Sequence, residues 1–311
     1  MTTTPTVALT GATGFVGRAL LADLRANGYR VRALLRRPAD EAREADSAVI
    51  GDLARPMNMA RALEGVDVVV HSAALAHAMS GRPEDDYRAI NTDATVALAQ
   101  AARRAGAKRF VFLSSVRAQT GPSAEGVVDE SRAPAPTDAY GRSKLAAEHG
   151  LAEVGIDWVA LRPVLVYGPG VKGNMASLVR LARSPWPLPL PAPSARRSLL
   201  AVENLAGAVR TAIEAQGSLG RPFLVADDGA LDIAGIIAAL RAGAGRRTPS
   251  LPIPAPLFRA AARLAGRTEI ADRLIGDLVV DTGALRALGW SAVVATRDGL
   301  ARLVATGGDG A

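Results

Sequence analysis

The fold is decided by residues 6–17, which read TVALTGATGFVG. Residues 6–10 are mostly apolar and β-branched and predict a short buried strand. Glycines follow at 11, 14 and 17, and residues 14–26 have the apolar spacing of a helix. A turn of this kind needs residues without side chains, because backbone N–H groups must approach a pyrophosphate at the helix N-terminus. The stretch therefore predicts a strand, a phosphate-binding turn and a helix.

Strands and helices continue to alternate through the first half of the chain. Further strands are predicted at residues 30–35, 66–71, 109–114 and 157–161, with helical segments at 91–105 and from 140 onward. Strands separated by helices imply βαβ crossovers and a parallel sheet covered on both faces. We therefore predict an α/β fold with a doubly wound, Rossmann-type sheet in residues 1–165. A smaller α/β part that binds substrate is expected in residues 166–311, and the chain can cross back to the sheet after that boundary.

The second half of the chain changes in character. Residues 184–193, SPWPLPLPAP, are rich in proline and predict an extended loop between the two parts. The smaller part is expected to contain a strand at 223–226 and several helices. One of these, near 257–264, is apolar on one side and carries Arg259, Arg263 and Arg267. We interpret it as a core-facing amphipathic helix, with a membrane-surface helix as the alternative.

Composition excludes several classes of protein. The 311 residues contain no cysteine and three scattered histidines, which argues against disulfides, thiolate nucleophiles and a metal site. No secretory signal and no apolar run long enough to span a bilayer is present, so a cytoplasmic protein is expected. The net charge of +7 comes from dispersed arginines with few aromatic residues. We therefore expect no nucleic-acid partner, although a basic cleft for a small anion remains open.

The end of the second predicted strand bears on the choice of dinucleotide. An acidic residue there would accept the ribose hydroxyls of NAD, whereas an arginine would favour the 2′-phosphate of NADP. The strand ends in ALLRR, with Leu35 in the acidic position and Arg36 and Arg37 next. NADP therefore fits at least as well as NAD, unless both arginines are solvated or one stacks on the adenine. Asp52, farther along, is a candidate acceptor for the adenine amino group.

Five motifs occur in an order that identifies a family. They are TGATGFVG at 10–17, GDL at 51–53, HSAA at 71–74, FVFLSS at 110–115 and YGRSK at 140–144. Together they resemble the extended short-chain dehydrogenase/reductase family, in particular its nucleotide-sugar epimerase/dehydratase branch. The resemblance covers nearly the whole chain and is specific for the family rather than for a substrate.

The residues of the last two motifs are the types that a single proton-transfer reaction requires together. A tyrosine with a pKa of about 10 is a poor base at neutral pH. A lysine at i+4 shares its helix face, and its ammonium favours the phenolate, as does an oxidised nicotinamide. Tyr140 and Lys144 have this spacing, and Lys144 is one of only three lysines in the chain. The resemblance assigns the accompanying hydroxyl to Ser115. We predict Ser115, Tyr140 and Lys144 as catalytic residues, with Tyr140 moving a proton while hydride passes to or from the cofactor.

The resemblance also implies which residues bind ligands. The substrate is held by Ser115 and, as in sugar-nucleotide epimerases, by Asn174 near the diphosphate and Arg197 on the phosphates. Lys172, near Asn174 in sequence, could add positive charge at the diphosphate, but the sequence is equally compatible with a solvated surface position for this lysine. The predicted residues around NAD or NADP are Gly11, Thr13, Gly14, Phe15, Val16, Gly17, Arg36, Asp52, Leu53, Ala73, Ala74, Tyr140, Lys144 and Pro163.

The two residues after the serine narrow the choice of reaction. Dehydratases of this branch carry an acidic pair there, whereas this chain has Val116 and Arg117, so dehydration is set aside. The Tyr–Gly pair usual in sugar epimerases is also absent. We predict an NAD(P)-dependent 4-epimerase of a UDP-type nucleotide sugar that works through a 4-keto intermediate. The alternatives are an NADP-dependent sugar or carbonyl reductase and a non-catalytic dinucleotide sensor. For either enzyme, a lipid-linked sugar is the alternative substrate to a nucleoside-diphosphate sugar. By resemblance, a homodimer is expected to pair through the helices that contain Asn91 and Tyr140.

Overall fold

The computed structural model describes residues 4–38, 46–75, 82–192, 195–246, 249–264 and 276–305, without the side chains of a few helical residues. The strands are β1 Thr6–Thr10, β2 Arg30–Leu35, β3 Asp46–Val49, β4 Val68–His71, β5 Arg109–Leu113, β6 Val127–Val128, β7 Asp157–Pro163, β8 Leu165–Tyr167, β9 Leu188–Ala192, β10 Arg196–Arg197, β11 Leu199–Ala201, β12 Arg221–Val225, β13 Leu231–Asp232, β14 Ser250–Pro254 and β15 Val279–Val280.

The helices alternate with these strands. They are α1 Phe15–Ala26, α2 Met59–Ala62, α3 Glu84–Tyr87, a π-helical turn Arg88–Asp93, α4 Ala94–Arg104, α5 Val116–Gln119, α6 Ala139–Val154, α7 Gly173–Ala182, α8 Val202–Glu214, α9 Ile233–Gly243, α10 Ala255–Leu264, α11 Gly283–Arg286 and α12 Thr296–Ala305.

Seven parallel strands form the central sheet in the order β12-β7-β5-β4-β1-β2-β3. Its middle strands are buried on both faces, which explains their continuous apolar sequences. In β1, Val7 and Leu9 belong to the core under α1 and α8, while Ala8 belongs to the core under α4 and α6. The two helical layers therefore confirm the predicted doubly wound α/β fold.

Two buried arginines, one on β5 and one on β7, form ion pairs at opposite ends of the sheet. Arg109, the first residue of β5, pairs with Asp157, the first residue of β7, at 2.6 Å. Its guanidinium also donates to the carbonyl oxygens of Ala212 and Ala215, and so caps the C-terminus of α8. At the carboxyl ends of the strands, Arg162 of β7 pairs with Glu148 of α6. Separate ion pairs therefore stabilise the amino ends and the carboxyl ends of these strands.

A third core lies under the second part of the chain, between α7, α9 and α12. It includes a buried polar cluster in which the Tyr167 hydroxyl donates to Asp227 at 2.9 Å. Asp227 also accepts from the Ala201 amide and from Asn204. Burial raises the pKa of Asp227, while these hydrogen bonds act in the opposite direction. The cluster fixes the residues after β8 and β12 to the start of α8.

Two details of the second part differ from prediction. The strand expected in the smaller part is β12, and it lies at the edge of the main sheet, with Val225 in register with Pro163. Its sequence resembles any buried strand, so its place in the sheet depends on contacts far away in the chain. The proline-rich stretch is not entirely loop, since β9 forms within it and pairs with β14. Proline is compatible with a small two-stranded sheet because it sits at edge positions.

Candidate active site

The glycine turn is required by the close approach of β1 to its neighbours. Gly11 has a φ of +73°, and a side chain there would meet Ser72 and the Ala73 amide nitrogen within 2.8 Å. A Cβ on Gly17 would lie 1.9 Å from the Gly11 carbonyl oxygen. Gly14 begins α1 without a side-chain cap. The backbone at the start of α1 therefore stays bare, as binding of a phosphate at a helix N-terminus demands.

An open cleft of about 600 Å³ extends from this turn along the carboxyl ends of β1, β2 and β4. Seven of the predicted cofactor residues line it: Gly11, Thr13, Arg36, Asp52, Leu53, Ala73 and Ala74. Ten lining residues were not predicted: Thr10, Ala12, Leu34, Leu35, Arg37, Pro38, Ile50, Gly51, Leu75 and Ile90. Most of these adjoin predicted residues along the chain. Ile90 lies in the π-helical turn, for which the sequence carries no signal.

Arg36 and Asp52 meet at the end of the cleft beyond β2. Their side chains form an ion pair of 3.1 Å, and both are substantially exposed. An exposed pair of this kind contributes little stability and opens readily. The guanidinium is thus available to an anionic ligand, and the carboxylate to a hydrogen-bond donor.

His71 is hydrogen-bonded to Thr10, which lines the cleft. It is fully buried, and its two ring nitrogens lie 2.7 Å from the Thr10 hydroxyl and 3.0 Å from the Thr95 hydroxyl. Burial lowers the pKa of His71 to about 3, with a smaller effect from Lys144. The imidazole is therefore neutral at physiological pH and links β1, β4 and α4.

Ser115 and Tyr140 come together because α5 and α6 approach unusually closely. Asp138 caps α6 by accepting a hydrogen bond from the Gly141 amide at 2.7 Å. A Cβ on Gly141 would lie 2.2 Å from the Arg117 carbonyl oxygen, so only glycine allows this approach. Ser115 caps α5, and its side chain is hydrogen-bonded to Tyr140. The glycine in YGRSK therefore serves to bring the tyrosine to the serine.

The environment of Tyr140 opposes its ionisation. Burial raises the pKa of Tyr140 to about 12, and Asp138 adds to the increase. The hydrogen bond with Ser115 and the guanidinium of Arg117 act in the opposite direction. The phenol is therefore held protonated and hydrogen-bonded to the serine until a further positive charge lowers its pKa.

Lys144 is buried behind the tyrosine. Its ammonium donates to the Leu113 carbonyl oxygen at 2.7 Å and lies 4.5 Å from the Phe112 ring centroid. The Tyr140 ring centroid is 6.0 Å away. Burial lowers the pKa of Lys144 to about 7, and the Glu148 carboxylate opposes this decrease. The Lys144 ammonium therefore loses its proton near neutral pH, and the change in its charge would alter the pKa of Tyr140.

A buried polar chain lies next to these residues. Glu148, one turn after Lys144, accepts hydrogen bonds from Ser114 and from two nitrogens of Arg162. Arg162 also donates to Gln119, at the end of α5. These residues adjoin Ser115, Lys144 and Pro163 along the chain. This polar network joins α5, which Ser115 caps, to α6, which contains Tyr140 and Lys144, and to β7, which ends at Pro163.

The three residues considered for binding the substrate diphosphate all lie in the second part of the chain. Arg197 lies in β10 and donates to the Pro122 carbonyl oxygen at 3.2 Å. Lys172 is exposed at the start of α7. Asn174 follows in α7, but its side chain lies outside the described part of the structure. Arg197 and Lys172 are therefore placed in the second part of the chain, apart from the glycine turn.

Comparison with known proteins defines the family. The family model for the NAD dependent epimerase/dehydratase family matches residues 7–226. The chain belongs to this family. It is an enzyme of the NAD-dependent oxidoreductase type, and the predicted fold and family are both confirmed.

Relatives within the epimerase/dehydratase family differ in their reactions. UDP-glucose 4-epimerase of Vibrio cholerae is 35% identical over 298 residues, which cover 91% of this chain and 90% of the relative. Ceramide reductase of Caulobacter vibrioides is 34% identical over 203 residues, 64% of this chain and 58% of its own. The family includes both epimerases and reductases of lipids.

Two solved structures share the architecture of this chain. MoeE5 in complex with UDP-glucuronic acid and NAD is 26% identical, with a TM-score of 0.78 over 96% of this chain and 97% of that one. UDP-glucose 4-epimerase from Thermotoga maritima, with UDP-glucose, is 22% identical with a TM-score of 0.78 over 97% of both chains. The second likeness concerns the fold alone.

Proposed function

We propose that the chain is an NAD(P)-dependent 4-epimerase of a nucleoside-diphosphate sugar. The observation that carries the proposal is the hydrogen bond between Tyr140 and Ser115 beside the buried Lys144. A hydroxyl pair of this kind is suited to moving a proton onto and off a substrate oxygen. The epimerase from V. cholerae, similar over nine-tenths of both chains, supports the same reaction.

The dinucleotide is assigned to the cleft beside β1 and β2. The turn at Gly11 and Gly17 leaves room for a pyrophosphate, and Arg36 and Asp52 flank the end where the adenosine would lie. When bound, NAD(P) supplies an acceptor and donor of hydride at the sugar carbon. MoeE5 and its bound NAD support this assignment.

The protein's own residues carry the proton chemistry. Ser115 holds the oxygen on carbon 4, and Tyr140 takes the proton from that hydroxyl and later returns it. The 4-keto sugar turns between the two events, so that its other face meets the cofactor. Arg197, Lys172 and Asn174 are assigned to the diphosphate, which would anchor the substrate while the sugar turns. We thus place substrate binding in residues 166–311.

An NADP-dependent reductase is the second candidate, favoured by Arg36 in the cleft and by the ceramide reductase relative. A lipid-linked sugar is a further candidate substrate. Proton NMR of the protein with UDP-glucose or UDP-N-acetylglucosamine and catalytic NAD⁺ or NADP⁺ separates these functions. Epimerase activity yields the 4-inverted sugar without net change in cofactor. Stoichiometric oxidation of NADPH with a keto substrate, and no inversion, would replace our proposal with the reductase.

A further inference from the structure

Charge is distributed very unevenly between the two parts of the chain. Residues 172–202 and 233–268 contain eleven lysines and arginines and no acidic residue. The whole chain has a net charge of +7, so the remainder is net negative. Exposed members of the basic set include Arg180, Arg183 and Arg263. These two segments are therefore strongly positive, whereas the rest of the chain is net negative.

The same segments expose large apolar side chains. Trp186 is 74% exposed, Leu251 53%, Leu257 62% and Leu264 91%. Single exposed apolar residues are common on protein surfaces, whereas an adjoining set marks an interaction site. We refer to these four residues as the Trp186 patch. Leu257 and Leu264 are seven positions apart on α10, so they lie on one helix face.

The elements that carry the Trp186 patch pack against one another. Strand β9 follows Trp186 closely and pairs with β14, which contains Leu251. Helix α10 follows β14 directly and packs on both strands. The four side chains therefore belong to one small structural unit rather than to separate regions.

A buried arginine fixes the position of Trp186. Arg241 of α9 donates to the Trp186 carbonyl oxygen at 2.8 Å and to the Pro249 carbonyl oxygen at 3.2 Å. It thereby joins the segments that lead into β9 and β14. Prolines on both sides of Trp186 further restrict the backbone. The exposed indole is held in place, not left on a loose loop.

We propose that the Trp186 patch docks the protein on the surface of an anionic lipid bilayer. Tryptophan and leucine insert at the boundary between headgroups and acyl chains, and surrounding arginines contact anionic headgroups. The absence of acidic residues from both segments supplies the charge complementarity. No helix in the described ranges is long and apolar enough to cross a membrane. Docking would therefore be peripheral and reversible, and it is independent of the reaction catalysed.

The fluorescence of Trp186 provides the first test. Of the other two tryptophans, Trp290 is buried and Trp158 is half-buried, so Trp186 is the one poised to report on lipid. Vesicles of phosphatidylcholine with about one-quarter phosphatidylglycerol should shift the emission of the full chain to shorter wavelength. Vesicles of phosphatidylcholine alone should give little shift, and Trp186→Phe should abolish it. The difference spectrum between the parent protein and Trp186→Phe isolates the emission of Trp186, and a spectrum typical of a buried indole before lipid is added would overturn the proposal.

Co-sedimentation with the same vesicles measures the two contributions separately. Trp186→Ser should lower the bound fraction about fivefold, whereas Val293→Ser, an equally exposed apolar change outside the patch, should not. The triple variant Arg180→Gln, Arg183→Gln, Arg263→Gln should weaken binding at least about tenfold. A triple variant of equal charge, with exposed Arg25, Arg61 and Arg104 changed to Gln, is the control.

Three results would contradict docking on a bilayer through the Trp186 patch. Equal losses in the two triple variants would mean that net charge alone drives binding. Absence of binding to anionic vesicles would exclude the bilayer as partner. A dimer in sedimentation velocity that Trp186→Ser dissociates would instead assign the patch to a second copy of the chain.

Discussion

The Lys144 ammonium and the Leu113 carbonyl oxygen are joined by a hydrogen bond of 2.7 Å. This bond ties α6 to the carboxyl end of β5, one residue before the Ser114–Ser115 pair. Because the lysine is buried, its protonation depends on the few charges around it. Three titratable groups couple to it or lie beside it: Glu148 and Tyr140 on its own helix, and His71 on β4.

Removing the charge of Glu148 should lower the pKa of Lys144. Burial already lowers that pKa to about 7, and Glu148 opposes the decrease, so Glu148→Gln should lower it further by about 1 pH unit. Carbon NMR of lysine labelled at Cε can follow this directly, since the chain has only Lys108, Lys144 and Lys172. Lys108→Arg and Lys172→Arg assign the signals.

Asp157→Asn is the matched control for that change, because it breaks the buried ion pair at the other end of the same strands. It should destabilise the fold by about 3 kcal/mol without moving the Lys144 titration. If Glu148→Gln does not fold, the double variant Glu148→Gln, Arg162→Met avoids leaving the Arg162 guanidinium without its carboxylate partner. It should also lower the pKa of Lys144, but by less, because a neighbouring positive charge is removed as well. A pKa that rises in the Glu148 variants would mean that water had reached the lysine, contrary to our account.

Tyr140→Phe should abolish proton transfer while leaving the cleft intact. Loss of a general acid/base group typically costs about 10²- to 10⁴-fold in rate, and we expect a decrease of this size in turnover. Calorimetric titration should give dinucleotide affinity within about twofold of the parent protein. Tyr87→Phe, whose ring packs edge-on against Tyr140 at 6.4 Å, serves as the control. Normal turnover in the Tyr140 variant would remove the tyrosine from the mechanism.

Gly17→Ala should prevent formation of the glycine turn. The added Cβ would lie 1.9 Å from the Gly11 carbonyl oxygen, so the backbone must shift. We expect loss of dinucleotide binding and destabilisation of at least about 2 kcal/mol in urea unfolding. Gly207→Ala, in the interior of α8, is the comparison, since the nearest neighbour of its Cβ would be the Trp290 ring nitrogen at 3.7 Å. That helical change should stabilise by about 0.5–1 kcal/mol, and equal behaviour of the two variants would contradict the steric argument.

Arg36→Gln should reduce affinity for NADP⁺ about tenfold, because it removes a charge-assisted hydrogen bond to a 2′-phosphate. Affinity for NAD⁺ should change little. Asp52→Asn releases Arg36 from its ion pair of 3.1 Å and should raise affinity for NADP⁺. Arg61→Gln, exposed but outside the cleft, controls for the loss of one charge. Equal effects of Arg36→Gln on both dinucleotides would mean that the arginine does not read the 2′-position.

His71 should make the fold sensitive to acid. Its pKa is about 3 in the folded protein and about 6.5 when unfolded, so the unfolded chain binds the additional proton between these values. Stability from this source is complete above pH of about 6.5 and decreases as the pH falls toward 3. Between pH 6.5 and 5 the loss should be roughly 1–2 kcal/mol.

His71→Gln, which keeps polar groups toward Thr10 and Thr95, should remove that part of the pH dependence. Urea unfolding of both proteins at the two pH values gives the difference directly. His149→Gln serves as the control because it changes another of the three histidines. A stability gap between parent and variant that stays constant with pH would show that His71 is not buried as a neutral group.

The sequence predicted features whose causes are local. Gly11, Gly14 and Gly17 adjoin both the strand and the helix they connect, and Tyr140 and Lys144 are one turn apart. Features built from distant residues were not predicted. Glu148 and Arg162 meet only after α6 and β7 are placed side by side, and β12 pairs with a strand about sixty residues earlier. Nothing in a local pattern distinguishes these partners from any other buried strand or charge.

The exposure of side chains in the second part of the chain could not be predicted from local sequence patterns either. The spacing of Leu257 and Leu264 is that of a core-facing helix, yet both are among the more exposed leucines of the described chain. Whether an apolar face is covered depends on which elements pack on it, and α10 packs against β9 and β14 while Leu257 and Leu264 stay exposed. The side chain of Arg259 and the whole of Arg267 lie outside the described structure.

Two buried arginines at opposite ends of β5 and β7 give this molecule separate places for two kinds of evolutionary change. Substitutions around Arg109 and Asp157 alter how firmly the base of the sheet resists heat. Substitutions around Arg162 and Glu148 act next to Ser115 and Lys144, the residues that we propose for proton transfer. Adaptation to a warmer habitat can therefore strengthen the ion pair at the base of the sheet without changing residues near the proposed catalytic site. Adaptation to another substrate can likewise change the carboxyl edge of the sheet while the base stays as it is.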